Sequence, residues 1–223
     1  MNDPIEVPAA HPPTSWAFRR EMRTAGIAVA AALWLAALIL GGAGFGLDER
    51  AYHALYAGID PAFTRNARLL TRLGSWTTLV PLTVIAAIFL AYRRRMRAAL
   101  LLIMVFGGRL LVEIQKVIVD RPRPGVSPHL EAVHSMSFPS GHSTNAMITY
   151  LAIAMLLPVP QRMRAILVGI ALAIALQVGW SRVALGVHWP SDVVGGWAFG
   201  IFWVALCMRL ASERPEGDGA AGR

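Results

Sequence analysis

Five stretches of this chain carry no charged residue at all: 24 to 47, 73 to 92, 143 to 161, 165 to 181 and 193 to 208. A sixth, 98 to 119, is apolar with Arg109, Glu113 and Lys116 toward its end. A helix needs ~20 residues to cross ~30 Å of hydrocarbon, and the shorter runs reach that length when extended by a turn of flanking polar residues. Only 15% of the residues are charged, against ~25% in soluble domains, so a soluble globular fold is the weaker reading. The expected fold is all-α, an integral membrane bundle of six transmembrane helices.

The polar ends set the domain limits. Prolines at 4, 7, 12 and 13 mark residues 1 to 23 as a disordered cytoplasmic tail, residues 24 to 211 form one six-helix domain, and the Gly-rich, charged stretch 212 to 223 reads as a second disordered tail. The first apolar run exceeds the 7 to 15 residues of a signal-peptide core and follows a long polar segment, so it reads as a retained helix.

Arginine gives the orientation. Arg19, Arg20 and Arg23 precede the first span, Arg93, Arg94, Arg95 and Arg97 separate the second from the third, Arg162 and Arg164 the fourth from the fifth, and Arg209, Arg214 and Arg223 follow the last. These twelve share one face, against eight basic residues on the other. The positive-inside tendency makes the richer face cytoplasmic, with both termini inside. The net charge of +8 is thus distributed as short anchors between apolar runs, not as a nucleic-acid patch. Between the first two spans, Arg65, Arg68 and Arg72 recur at i, i+3 and i+7 in segment 63–73, with Leu69, Leu70 and Leu73 elsewhere around the helix. That is the pattern of an interfacial amphipathic helix, resting on anionic headgroups or lying over a site as a lid.

Two loops on the non-cytoplasmic face concentrate chemistry. One begins at Lys116, runs through Asp120-Arg121-Pro122-Arg123-Pro124 and ends at Phe138-Pro139-Ser140-Gly141-His142, where the fourth span opens. The other holds Ser181-Arg182 and His188-Trp189-Pro190-Ser191-Asp192, where the sixth span opens. The active site is therefore expected on two loops of one face. Pro190 suits the first position of a helix, which leaves His188 just outside and Asp192 in the first turn. Asp192 can then fix the tautomer of His188 so that its other ring nitrogen presents a lone pair to an electrophile. Ser140, Gly141 and His142 open a helix whose free N–H groups favour a phosphate. Lys116, Arg123 and Arg182 supply three positive charges for its oxygens, and His142 remains as general acid for the leaving oxygen. Lys116 is the one lysine among 21 basic residues, and a compact ammonium is not interchangeable with a planar fork.

Lys116-x6-Arg123-Pro124, Pro139-Ser140-Gly141-His142 and Ser181-Arg182-x5-His188-x3-Asp192 resemble the three signature motifs of the type 2 phosphatidic acid phosphatase and vanadium haloperoxidase superfamily, with all eleven specified positions matched in order. The resemblance covers residues 116 to 192 by motif, and the six-span layout extends it across the apolar region. It implies that His188 forms a phosphohistidine, that Asp192 orients it and that His142 protonates the leaving group. Lys116, Arg123, Ser140, Gly141 and Arg182 would bind phosphate, with no metal or other cofactor. The implied function is a metal-independent phosphatase of the bacterial inner (plasma) membrane that acts on a lipid phosphate or diphosphate: phosphatidic acid, phosphatidylglycerol phosphate or undecaprenyl diphosphate. A vanadate-dependent haloperoxidase would use the same cradle, but those relatives are soluble. A non-catalytic lipid-phosphate binding or transport protein would have no use for intact His188, Asp192 and His142.

Other polar residues read more plainly. Arg121 is an accessory charge, Arg93 to Arg97 anchor topology, and His129 and His134 are solvated loop residues. Arg109 and Glu113, one helical turn apart, are expected to pair inside the membrane. Cys207 is the single cysteine, which excludes an internal disulfide framework and a multi-cysteine metal site.

Overall fold

The computed structural model describes residues 15–41, 46–58 and 60–212, with side chains from residue 24 onward. The outer parts of both expected tails, 1–14 and 213–223, lie outside the described residues. Within them the secondary structure is helical and no strand occurs: α1 (Ser15–Leu40), α2 (Leu47–Leu55), α3 (Pro61–Arg72), α4 (Trp76–Arg93), α5 (Arg95–Leu102), a π-helical turn (Ile103–Gly107), α6 (Gly108–Val119), α7 (Gly141–Leu156), α8 (Gln161–Ala184) and α9 (Pro190–Ser212).

Local chemistry sets the helix ends. At the start of α3 the Asp60 carboxylate accepts from the N–H of Ala62 at 2.7 Å and of Phe63 at 3.3 Å, and Pro61 occupies a position where no N–H is needed. Arg94 adopts an extended conformation between α4 and α5, so the chain turns back within the arginine cluster. Gly107 and Gly108 follow the apolar residues of the π turn, where the Trp203 indole donates to the Met104 carbonyl at 2.9 Å. An insertion of this kind changes the rotational phase of the next helix. Val112 and Lys116 then share the buried side of α6, while Ile114, Val117 and Ile118 are exposed.

α7 is the centre of the bundle, packed against α4, α5, α6, α8 and α9, while α1 lies along α9 and α3 against α8. Small residues allow the close approach, among them Ala146, Ala152, Ala171 and Ala175 in the core. Gly196 shows how tight it is, since a Cβ there would stand 2.7 Å from Thr144 Oγ1 and 3.1 Å from the Ser140 carbonyl. That contact brings the first turns of α7 and α9 side by side. The outer surface carries large aliphatic side chains such as Val84, Ile85, Ile88, Ile166 and Ile170, which in a soluble protein would form an aggregation-prone patch and in a bilayer face hydrocarbon.

Among the described residues, four helical segments are long and apolar enough to cross a membrane: Pro61–Arg93, which runs α3 into α4, Arg95–Val119, Gln161–Ala184 and Pro190–Ser212. Thr24–Leu40 of α1 is a shorter apolar helix, and α7 has 16 residues, a length of about 24 Å.

Candidate active site

α8 ends at Ala184, and the chain reverses through Gly186, whose φ of 77° is open to glycine without strain. Its N–H donates to the Val183 carbonyl and that of Val187 to the Arg182 carbonyl, a glycine-based closure of the helix end. The turn is also crowded, because a Cβ on Gly186 would lie 2.9 Å from the Tyr52 hydroxyl. His188 follows, 2% exposed, and Pro190 starts α9.

A cavity of about 210 Å³ is lined by Lys116, Arg123, Gly141, His142, Arg182 and His188, joined by Glu113, Glu131 and His134. Of the residues expected at the site, these first six line it directly. The other two stand behind. Ser140 is buried, its hydroxyl accepting from Ser143 Oγ at 2.8 Å and its N–H donating to the Asp192 carbonyl at 3.0 Å. Asp192 is fully buried. The cluster is drawn from helix ends as much as from loops: Lys116 from the end of α6, His142 from the start of α7, Arg182 from the end of α8 and Asp192 from the start of α9.

The hydrogen bonds of His188 fix its tautomer. Nε2 lies 3.1 Å from Arg123 Nη1, and a guanidinium has only donors to offer, so Nε2 accepts and carries the lone pair. Nδ1 then holds the proton and faces Asp192 Oδ2 and Ser137 Oγ, each at 3.4 Å. Burial, followed by the charges of Arg123, Arg182 and Lys116, keeps this imidazole neutral well below its ordinary range. Arg123 also donates to the carbonyls of Ser135 at 2.7 Å and Val187 at 2.5 Å. Burial and the nearby Arg182 pull its pKa down to about 10.

Lys116 Nζ donates to Ser135 Oγ at 3.0 Å and to the Met136 carbonyl at 2.7 Å. α6 ends just beyond it at Asp120, a residue with φ 48°, a conformation that aspartate tolerates better than most non-glycine residues. Arg182 Nη1 reaches the Thr71 hydroxyl on α3 at 2.7 Å and the Glu131 carboxylate at 2.5 Å. An anion entering the cavity must therefore displace or share the carboxylate already on Arg182.

Four residues of this arrangement are absent from the sequence motifs. Arg121, read as an accessory charge, is buried and donates from Nη1 to Asp192 Oδ1 at 2.9 Å and to Ser191 Oγ at 3.0 Å. Its Nη2 donates to the carbonyls of Ala37 at 3.2 Å and Leu38 at 2.7 Å. Ser137 donates a short hydrogen bond to Asp192 Oδ2, which also receives the N–H of Trp189 at 2.9 Å. Glu131 and Thr71 hold Arg182. A buried carboxylate at Asp192 demands a cation, and the first arginine of Asp120-Arg121-Pro122-Arg123-Pro124, outside the motif, was the available signal. Another placement also differs from expectation. Arg109 stacks over the Trp76 ring at 4.3 Å, and among the described residues no ion pair joins it to Glu113. His129 and His134 are exposed loop residues, as expected; His134 also lines the cavity, and His129 Nε2 donates to the Pro124 carbonyl at 2.7 Å. Among the described residues no group of three His, Cys, Asp or Glu could hold a metal ion.

Comparison with known proteins adds an independent line. The sequence model of the PAP2 superfamily matches residues 97–216. Phosphatidylglycerophosphatase B of Bacillus subtilis (strain 168) is 41% identical over 137 residues, 59% of this chain and 67% of that protein. Undecaprenyl-diphosphatase of Sulfolobus acidocaldarius is 31% identical over 152 residues, 66% of this chain and 69% of that protein. Lipid A 1-phosphatase of Rhizobium johnstonii is 35% identical over 126 residues, 52% of this chain and 48% of that protein, so the chain spans about half of it. Among solved structures, the transmembrane PAP2 type phosphatidylglycerolphosphate phosphatase from Bacillus subtilis superposes with a TM-score of 0.74 at 31% identity, covering 88% of this chain and 98% of that one. Aquifex aeolicus LpxE, with a TM-score of 0.59 at 24% identity over 74% of this chain and 97% of its own, shares the fold.

Proposed function

Since the chain belongs to the PAP2 superfamily, we propose that it is an integral-membrane lipid phosphatase in which His188 is the nucleophile on a lipid phosphate or diphosphate. The observation that carries this reading is the lone pair of His188 Nε2, turned toward Arg123 at the wall of a cavity that Lys116 and Arg182 also line.

Nε2 attacks phosphorus in line with the lipid oxygen. The N–P bond forms as the P–O bond to the lipid breaks, and His142 gives a proton to the departing oxygen. Positive charge growing on the His188 ring is stabilised by Asp192 through Nδ1–H, and Asp192 is held in turn by Arg121, Ser137 and Trp189 N–H. Charge on the phosphoryl oxygens is met by Lys116, Arg123, Arg182 and the free N–H groups at the start of α7, where Gly141 keeps the approach open. In the second step His142, now neutral, takes a proton from water as the water oxygen attacks phosphorus. The N–P bond breaks and inorganic phosphate leaves. Every charge needed is supplied by side chains, so the reaction proceeds with chelator present.

The substrate is phosphatidic acid, phosphatidylglycerol phosphate or undecaprenyl diphosphate, presented from the bilayer at the depth of the site; the relatives named phosphatidylglycerophosphatase B and undecaprenyl-diphosphatase support the last two. We place residues 24–211 as one domain of six spans in a bacterial inner (plasma) membrane. α1, α4, α5–α6, α7, α8 and α9 cross in turn, with α3 at the interface, both termini cytoplasmic and the site on the opposite face. The supports are the arginine distribution and the four long apolar segments. Phosphate release from a panel of these lipids by purified protein in chelator tests the activity, and absence of release from every lipid would defeat it. A cysteine at exposed Val126, in a Cys207→Ala background, tests orientation. An impermeant thiol reagent should label it in intact cells, and labelling only after permeabilisation would reverse the topology.

A further inference from the structure

Beside the catalytic cavity lies a second and larger one, about 410 Å³, whose walls include Arg65, Arg68, Arg72, Leu69, Pro61 and Leu130. The three arginines occupy one stripe of α3 at i, i+3 and i+7, and α3 contains no acidic residue. All three are exposed, and among the described residues no carboxylate pairs with them. Asp60, the nearest carboxylate in sequence, is engaged with backbone N–H groups at the helix start. Arg68 Nη2 donates to the Leu130 carbonyl at 3.0 Å. An interfacial helix that merely rests on headgroups needs basic residues but no concavity, whereas here the stripe walls a space that Leu130 closes from another part of the chain.

The two cavities share their partition. Leu130 lines the outer one and its neighbour Glu131 the catalytic one. On the other side Arg72 lines the outer one, while its neighbour Thr71 accepts from Arg182 Nη1 inside the catalytic cluster. Adjacent residues are separated by about 3.8 Å between Cα atoms, so at both places neighbouring residues face the outer cavity and the catalytic cluster. Building on the reading of the catalytic site as a lipid phosphatase, we propose that the Arg65–Arg68–Arg72 pocket is a second anion subsite. It binds a phosphate or phosphodiester of the same lipid molecule that presents its scissile phosphate to His188, and so selects lipids carrying two such groups a few bonds apart. Arginine forks suit phosphate oxygens, and the apolar surface of Leu69, Leu130 and Pro61 suits the linking carbons.

Binding, not turnover, is the test, so that it stands whether or not the phosphatase reading does. His188→Ala protein in neutral detergent is titrated with phosphatidylglycerophosphate and, separately, with phosphatidic acid. Where that variant fails to fold, wild type is titrated with phosphonate analogues of both lipids. The measurements are repeated after Arg65→Gln with Arg72→Gln, leaving Arg68 on its carbonyl. The preference for the two-phosphate lipid should fall about tenfold, the size expected for losing one or two charge-assisted hydrogen bonds in a half-open site. An unchanged ratio, whether affinities stay the same or fall together, overturns the proposal. Two further arms add inorganic phosphate or phosphatidylglycerol to phosphatidic acid. If either tightens binding through the same arginines, the pocket serves a free anion or a neighbouring headgroup, and the same-molecule proposal fails.

Discussion

Replacing Arg121 with glutamine removes the cation that holds Asp192. In the native arrangement the Arg121 side chain is 9% exposed and that of Asp192 fully buried, with Nη1 and Oδ1 2.9 Å apart. Glutamine carries no charge and is too short to reach both Asp192 and the α1 carbonyls of Ala37 and Leu38. Oδ1 then has no other donor among the described residues, while Oδ2 keeps Ser137 and the Trp189 N–H. Breaking a buried pair from one side costs about 3–5 kcal/mol, much of it the stranded charge, so the thermal midpoint in detergent should drop clearly. For catalysis the loss is narrower: one charge-assisted hydrogen bond of about 1.5–3 kcal/mol that steadies the carboxylate as the His188 ring becomes positive. At 1.36 kcal/mol per factor of ten, that is a fall in kcat of about 10- to 100-fold. KM should move little, because Arg121 does not line the cavity. Arg121→Lys keeps a cation and should recover part of the rate. Steady-state kinetics on phosphatidic acid, beside thermal unfolding of the same preparations, reads both. A folded glutamine variant with near-native kcat and midpoint would show that Asp192 needs no such support and would refute the reasoning.

Lys116→Arg should lose most activity while folding, because the ammonium sits in a compact seat between Ser135 Oγ and the Met136 carbonyl. Near-native turnover in that variant would remove any specific role for the lone lysine. His142→Ala should slow a phosphate monoester far more than a diphosphate, whose departing phosphate needs less protonation; equal losses, measured by phosphate release on both lipids, would count against the general-acid role. Because burial and three cations hold the His188 pKa well below its ordinary 6.5, the unfolded chain takes up a proton as pH falls through that value and the folded chain does not. Stability should therefore decline below about pH 6.5, while kcat/KM corrected for substrate ionisation shows no limb from this histidine there. An acid limb near 6.5 that moves with His188 environment variants such as Arg123→Ala would contradict it.

The gathering of Lys116, Arg123, His142, Arg182 and His188 around one cavity was legible in the sequence because such residue types are expensive beside apolar spans and their spacings are set by helix ends. The stripe of α3 was legible for the same kind of reason, since the period of Arg65, Arg68 and Arg72 states a helix directly. What escaped were contacts between distant parts of the chain. Arg121 meets Asp192 across 71 positions and Arg182 meets Glu131 across 51, and neither pairing has a local periodicity to betray it. Arg109 went the same way, since one-turn spacing favoured Glu113 and tertiary packing offered it the Trp76 ring instead. The uncharged run 24–47 suggested a first helix reaching residue 47, whereas α1 begins at Ser15, inside the stretch 1–23 read as a disordered tail, and stops at Leu40. Gly41, Gly42, Gly44 and Gly46 follow, and glycine so dense weakens a helix whatever its hydropathy.

The central claim is that His188 becomes covalently bonded to phosphorus, and trapping that bond tests it most directly. Wild-type protein mixed rapidly with lipid labelled in the scissile phosphate, quenched in base and digested, should yield label on the peptide that contains His188. That label should be lost on brief acid treatment, as a phosphoramidate is, and the His188→Ala protein should carry none. Label at the wild-type level in His188→Ala, or phosphate released by wild type with inversion at phosphorus and no labelled peptide, would mean that His188 is not the nucleophile.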